Sequence, residues 1–209
     1  NIMKTTQTIW FPDLEATIAV VRNLTISQER LDVLEPLIQY VQDKWTEGNP
    51  ITLNFICTHN SRRSQFSQIW AQTAAIFFGI PAKCLSGGVE ITAFNERAVS
   101  SLQRSGFLIE SAQSENPKYQ VFYSESEEPI IAFSKLFDDP INRAEQFAAV
   151  MTCSHADENC PFIPGSEKRI AVRYEDPKAF DHTNEEAARY DERSLQIASE
   201  MFHVFSKIK

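Results

Sequence analysis

Ile51-Thr52-Leu53-Asn54-Phe55-Ile56-Cys57-Thr58-His59-Asn60-Ser61-Arg62-Arg63-Ser64 is an apolar run that ends in a polar loop, and its reading decides the fold. Ile51 to Ile56 reads as a buried strand, and Gln65 to Phe78 keeps helical periodicity almost free of breakers. A strand feeding a polar loop that opens a helix aims a row of backbone N–H groups at one spot. Those first N–H groups lack intrahelical partners and the helix dipole favours negative charge, so the spot suits an anion. Cys57 begins the loop, Arg63 stands six residues on, and Ser64 follows. The helix start, Arg63 and the Ser64 hydroxyl each favour the Cys57 thiolate, which is the nucleophilic form of cysteine. The planar fork of Arg63 can hold two oxygens of a tetrahedral oxyanion. A bare Cys-x5-Arg fits a buried cysteine beside a surface arginine equally well. The strand before, the helix after and the adjoining serine favour the reactive site.

Composition narrows the classes. A chain of 209 residues holds one α/β domain with an appendage. A formal net charge of -8 argues against nucleic acid as a partner. No apolar run is long enough to span a bilayer, and no charged-then-apolar leader is present, so no membrane partner is expected. Four cysteines in a chain this long do not make a disulfide scaffold. A cytoplasmic protein with functional thiols is the expectation; its oligomeric state is left open.

Working outward, Asp13 to Arg22 and Ser27 to Trp45 read as helices, with Ser27 as N-cap. Pro36 implies a kink, or two consecutive helices with Pro36 near the start of the second. These helices form an N-terminal extension over residues 1–50, and residues 51–209 form the α/β domain. After Gly79-Ile80-Pro81 come a short strand at Lys83 to Ser86 and a helix from about Asn95 to Arg104, closed by Gly106. Strand–helix alternation implies a parallel sheet with right-handed crossovers and helices on both faces, a three-layer α/β/α arrangement. The ligand then sits at the carboxyl ends of the strands, where Cys57 lies. An insertion at about 111–140 breaks the rhythm. Tyr119 to Tyr123 and Ile130 to Phe133 flank the acidic run Glu125 to Glu128, which suggests a hairpin added to the sheet or covering it. Phe147 to Thr152 reads as a central strand ending at Cys153, Ile170 to Tyr174 as a last strand, and Asn184 to Ser206 as a closing helix.

The loop resembles the phosphate-binding loop of the low-molecular-weight protein tyrosine phosphatases and of the thioredoxin-coupled arsenate reductases that share their fold. The family form is close to Cys-Thr-Gly-Asn-Ser-Cys-Arg-Ser; here His59 replaces the glycine and Arg62 the second cysteine. The resemblance runs from Ile51 to the C-terminus, the insertion excepted, and takes in Leu85-Ser86-Gly87-Gly88-Val89-Glu90. It makes Cys57 the nucleophile, with Thr58, His59, Asn60, Ser61, Arg62 and Arg63 around the substrate. Cys153-Ser154-His155-Ala156-Asp157-Glu158-Asn159-Cys160-Pro161 is similar to the redox segment of the reductases, which ordinary phosphatases of this fold lack. That similarity implies that Cys153 resolves an arsenic–thiolate adduct on Cys57. Cys160 then takes over the disulfide and passes it to thioredoxin or a similar thiol. Seven helical residues rise about 10.5 Å, whereas disulfide-linked Cα atoms lie within ~7 Å, so pairing Cys153 with Cys160 requires a loop or an unwound helix. Asp176-Pro177 matches the family acid loop, which makes Asp176 the proton donor to the leaving oxygen. Lys178 and Ala179 stand where the tyrosine phosphatases carry an aromatic residue, which disfavours phosphotyrosine.

The resemblance therefore implies arsenate reduction by a cysteine nucleophile and a resolving pair, with no bound cofactor. Hydrolysis of a phosphomonoester through a phosphocysteine is the alternative, and an oxyanion-binding protein without turnover is the third reading. Zinc on Cys153, His155 and Cys160 is disfavoured, because no Cys-x2-Cys knuckle and no nearby fourth ligand accompany them, and no metal is expected. Cys84, His182 and His203 read as packing or surface residues. His59 carries a question of its own: if its position needs positive φ, a histidine strains it.

Overall fold

The computed structural model describes residues 7–159 and 162–209. In chain order the elements are α1 (Pro12–Arg22), α2 (Gln28–Glu47), β1 (Ile51–Cys57), α3 (Arg63–Phe77), β2 (Ala82–Gly88), α4 (Glu96–Arg104), β3 (Leu108–Glu110), β4 (Tyr119–Phe122), β5 (Ile130–Ala132), β6 (Phe147–Met151), α5 (Ser154–Asn159), β7 (Ser166–Ala171) and α6 (Glu186–Ser206). Single 3-10 turns lie at Pro140–Asn142 and Pro177–Phe180.

The central sheet has the order β2-β1-β6-β7, and all its pairings are parallel. β1 is buried at every position because strands pair on both its edges and side chains cover both its faces. The two-residue alternation of a strand divides those faces. Leu53 and Phe55, with Ala148 and Val150, look into the main core beside Phe66, Trp70 and Phe202 from α3 and α6. Ile56, with Ala149 and Met151, looks into a smaller cluster closed by Ala156 of α5 and by Ile163. The second face is thinly covered, and both Cys57 and Cys153 lie in it.

The N-terminal helices share the main core through Leu14, Ile18, Leu34, Leu37 and Val41. Ser27 caps α2 by accepting from the Arg30 amide, and Gly48, at φ 68°, closes it. The two-helix reading of Pro36 does not hold: α2 runs through it as one helix of 20 residues. The buried stripe of Leu34, Leu37, Ile38 and Val41 outweighs the hydrogen bond that proline cannot donate. Arg30 forks onto Glu200 of α6 at 3.0 and 2.7 Å and donates to the Arg173 carbonyl at 3.0 Å. Farther along α2, Lys44 and Tyr40 both reach Glu167 on β7. In this way α2 straps the closing helix to the edge strand.

The insertion adds no strand to the central sheet. It forms a separate antiparallel sheet, β3-β4-β5, in which Leu108–Glu110 is an unexpected third strand. It covers the flank of α3, where Gln65 donates to the Phe133 carbonyl at 3.0 Å. The chain leaving β5 then bridges Leu136 to Gly88 at the end of β2. The last strand also begins earlier than its apolar residues suggest, at Ser166, because partly exposed polar residues pair along the edge of β6. Tyr174, expected inside it, lies beyond β7 but still bonds the Thr152 carbonyl at 3.0 Å.

Candidate active site

Three strand ends converge. Cys57 closes β1 opposite Gly88 of β2, and Thr152 continues β6 by donating to the Ile56 carbonyl at 2.8 Å, which sets Cys153 beside the loop. Cys57 is 4% exposed and Cys153 is 1% exposed, and both are free thiols. Cys84, the other described cysteine, lies in β2, and burial pushes its thiol far above the ordinary range, so it stays protonated and inert.

The loop is organised by Asn60. Its φ of 49° is left-handed, and one of only two positive values among the described non-glycine residues, the other being His182. Asparagine tolerates that conformation better than branched or bulky residues do. His59 therefore carries no such strain, and its imidazole instead pairs with Glu90 at 3.2 Å. The Asn60 amide donates to Cys57 Sγ at 3.2 Å, and Asn60 Nδ2 donates to Ser64 Oγ at 2.8 Å. Ser64 Oγ lies 2.9 Å from Cys57 Sγ. Asn60 donates to that oxygen, which leaves the Ser64 hydroxyl proton free to be given to the sulfur. α3 starts behind Arg62 with no side-chain cap and no acidic residue in its first turn, so its N-terminus remains available to an anion.

Arg63 and Asp176 meet directly. Arg63 donates to Asp176 Oδ2 at 3.1 Å and to the Tyr174 carbonyl at 3.1 Å. Asp176 in turn accepts from the Lys178 amide at the start of the 3-10 turn. Cys57, Thr58, His59, Ser61, Arg62, Arg63 and Asp176 line a cavity of about 20 Å³, room for about one water. Arg62, which also lines that cavity, donates from Nε to Tyr190 at 2.9 Å, with Asp181 3.7 Å and Asp176 3.9 Å away. Tyr190 donates to Asp181 at 2.7 Å, and burial followed by that carboxylate pushes its phenol up to about 12. The Ser61 hydroxyl donates to the Ala93 carbonyl at 2.7 Å, which anchors the loop.

Four supporting residues escaped the sequence reading: Ser134, Lys135, Tyr190 and Asp181. Ser134 Oγ donates to the His59 carbonyl at 2.9 Å, and the Lys135 amide donates to Asn60 Oδ1 at 3.1 Å. The Lys135 ammonium is buried and donates to Ser86 and to the Phe133 carbonyl; burial holds its pKa down at about 8. Only the loop sequence could have hinted at such partners, since a left-handed asparagine needs its side chain held.

Thr58 joins the loop to the second cysteine. Its Oγ1 lies 3.6 Å from Cys153 Sγ and 3.0 Å from Nδ1 of His155. Cys160 and Pro161 lie outside the described residues. The zinc set of Cys153, His155 and Cys160 therefore has one member outside them, and no group of three or more His, Cys, Asp or Glu among the described residues is placed to hold a metal. No helix of the described residues is long and apolar enough to cross a membrane.

A low-molecular-weight protein tyrosine phosphatase from T. tengcongensis superposes with a TM-score of 0.51 at 16% identity, over 76% of this chain and 99% of that one. The chain shares the fold of that phosphatase. In sequence it is 29% identical over 126 residues to arsenate reductase 2 of Staphylococcus epidermidis, covering 60% of the chain and 78% of the relative. Arsenate reductase 1 of Staphylococcus saprophyticus is 27% identical over 146 residues, covering 70% and 92%. No family model matches.

Proposed function

We propose that the protein is a cytoplasmic, thiol-dependent arsenate reductase, with an N-terminal extension (residues 1–50) whose helices α1 and α2 brace a catalytic domain of residues 51–209. The observation that carries this reading is Cys153, a free thiol buried in the same small cluster as Cys57. In phosphate-ester hydrolysis it takes no part in the chemistry and could only protect Cys57 from over-oxidation. The Cys57 thiolate attacks arsenic, and Arg63 with the loop amides holds the oxyanion. Asp176 protonates the departing oxygen, which leaves as water. The Cys153 thiolate then attacks Cys57 Sγ. The S–S bond forms, the S–As bond breaks, and its electron pair stays on arsenic, which leaves as arsenite. Cys160 attacks Cys153 Sγ and expels the Cys57 thiolate, and a thioredoxin-like dithiol reduces the resulting Cys153–Cys160 disulfide. The chemistry needs no metal or resident cofactor.

A second reading, phosphomonoester hydrolysis, is favoured by a groove of about 450 Å³ that shares His59, Ser61 and Arg62 with the site and extends to Phe94, Arg97 and Lys178. It has room for an organic leaving group, which arsenate lacks. Steady-state assays of the wild type, Cys153→Ser and Cys160→Ser separate the two. Multi-turnover arsenate reduction with thioredoxin, abolished in both variants, is the expected result. Brisk hydrolysis of a phosphoaryl ester without arsenate turnover in the wild type would instead assign the protein to the phosphatases.

A further inference from the structure

Cys153 is 1% exposed, so its thiol proton has no direct route to water. One route is built into the structure. Thr58 Oγ1 stands 3.6 Å from Cys153 Sγ and 3.0 Å from His155 Nδ1, and His155 is exposed at the surface of α5. A hydroxyl can accept one hydrogen bond while donating another. With the His155 proton on Nε2, the chain runs from the Cys153 S–H to Thr58 Oγ1, and from the Thr58 O–H to His155 Nδ1. We propose that His155 is the proton acceptor for the resolving cysteine, acting through the Thr58 hydroxyl.

This inference rests on the reductase reading of the site. As Cys153 Sγ attacks Cys57 Sγ, its proton passes to Thr58, the Thr58 proton passes to His155, and the imidazolium releases its proton to solvent. The electrons balance as before: Cys153 and Cys57 are each oxidised by one electron into the disulfide, and arsenic takes both. An imidazole is suited to the task because its ordinary pKa lies near neutrality. The charged groups about the relay are Arg173, whose guanidinium feels the Cys153 charge, the α5 carboxylates Asp157 and Glu158 that pair with it, and Arg169 of β7, which also pairs with Asp157. His59 stands next to Thr58 and carries its own partner, Glu90. The Arg173 guanidinium is already protonated and cannot receive the proton; the His155 imidazole can.

The test uses peroxide, so that it does not depend on arsenate. Hydrogen peroxide converts the Cys57 thiolate to a sulfenic acid, and Cys153 attacks that same sulfur, expelling hydroxide and forming the same Cys57–Cys153 disulfide. With Cys160→Ser as background, the rate of disulfide formation is followed against pH for the parent, His155→Ala, Thr58→Val and Thr58→Ser, with thermal unfolding reporting the fold. His155→Ala and Thr58→Val are expected to slow the step at least tenfold at pH 6 to 7, while Thr58→Ser, which keeps the hydroxyl, remains within threefold of the parent. Added imidazole restores the rate of His155→Ala in proportion to its unprotonated fraction. A parental rate in His155→Ala, or a slow rate that imidazole leaves unchanged, overturns the proposal, the latter by reducing His155 to a prop for Thr58. Failure of arsenate turnover with the relay intact in the peroxide assay would sink the reductase reading alone.

Discussion

Asn60 organises the loop from a fully buried position behind the small cavity that Cys57 and Arg63 line. It supplies the left-handed turn, orients Ser64 toward Cys57 and accepts from the Lys135 amide. Asn60→Ala combines left-handed strain of about 1 kcal/mol with two lost hydrogen bonds of about 1 kcal/mol each. Asn60→Gly keeps the turn and loses only the bonds. Urea unfolding should therefore rank wild type, Gly and Ala in that order, with Cys57 alkylation at pH 7 slowing in the same order; equal losses for Gly and Ala would remove the strain argument. Lys135 makes a pH prediction. Its folded pKa, at about 8, lies below the unfolded lysine value of ~10.4, so the unfolded chain binds more protons between those limits. Stability contributed at this position therefore rises with pH across that window, by an amount on the order of 3 kcal/mol, and is flat below it. Measured as wild type minus Lys135→Met, a difference that falls or stays level from pH 8 to 10 contradicts the buried ammonium. That Cys57, Arg63, Ser64 and Asp176 come together was legible because the loop is contiguous and Asp176-Pro177 forms an ordinary turn after the last strand. Lys135 and Ser134 were not, because their role exists only once the insertion folds back onto the loop.

At the scale of elements, the insertion belongs to the site. Gly88 donates to the Lys135 carbonyl at 2.8 Å and accepts from the Phe137 amide at 3.0 Å, so the strand leaving the small sheet is stitched to the end of β2. A Cβ on Gly87 would stand 2.2 Å from the Phe137 Cα. Backbone cannot yield there as a flexible side chain could, so Gly87→Ala should cost about 2 kcal/mol or more and shift the segment that carries Ser134 and Lys135. The prediction is a lower urea midpoint together with slower Cys57 alkylation; lost stability with full Cys57 reactivity would make the insertion a passive cover. The hairpin of β4 and β5 could be read from two β-prone runs around a turn. β3 could not, since three largely exposed residues carry no hydrophobic period, and β7 begins among polar residues for the same reason. α2 ran through Pro36 because its packing is decided by residues far away in sequence.

For the whole molecule, the parallel sheet explains why two cysteines separated by nearly a hundred residues become neighbours. β1 and β6 pair side by side, Ile56 opposite Met151, and each strand delivers its thiol to the same end. That end faces a thinly covered side of the sheet, where a six-residue helix follows Cys153 directly. Ser154–Asn159 is helical, so the proposed pairing of Cys153 with Cys160 would call for α5 to unwind, and the small number of side chains packed over α5 makes local opening there cheap compared with opening the main core. The long helices α2, α3 and α6 hold the rest fixed, with the Arg30–Glu200 pair joining the first to the last. The most direct measurement is a single turnover without reductant. Cys160→Ser is mixed with excess arsenate and quenched, arsenite is quantified, and the disulfide is located by mass spectrometry. One arsenite per chain with a Cys57–Cys153 disulfide is the predicted result; no arsenite, with both thiols still free and the protein folded, would contradict the account.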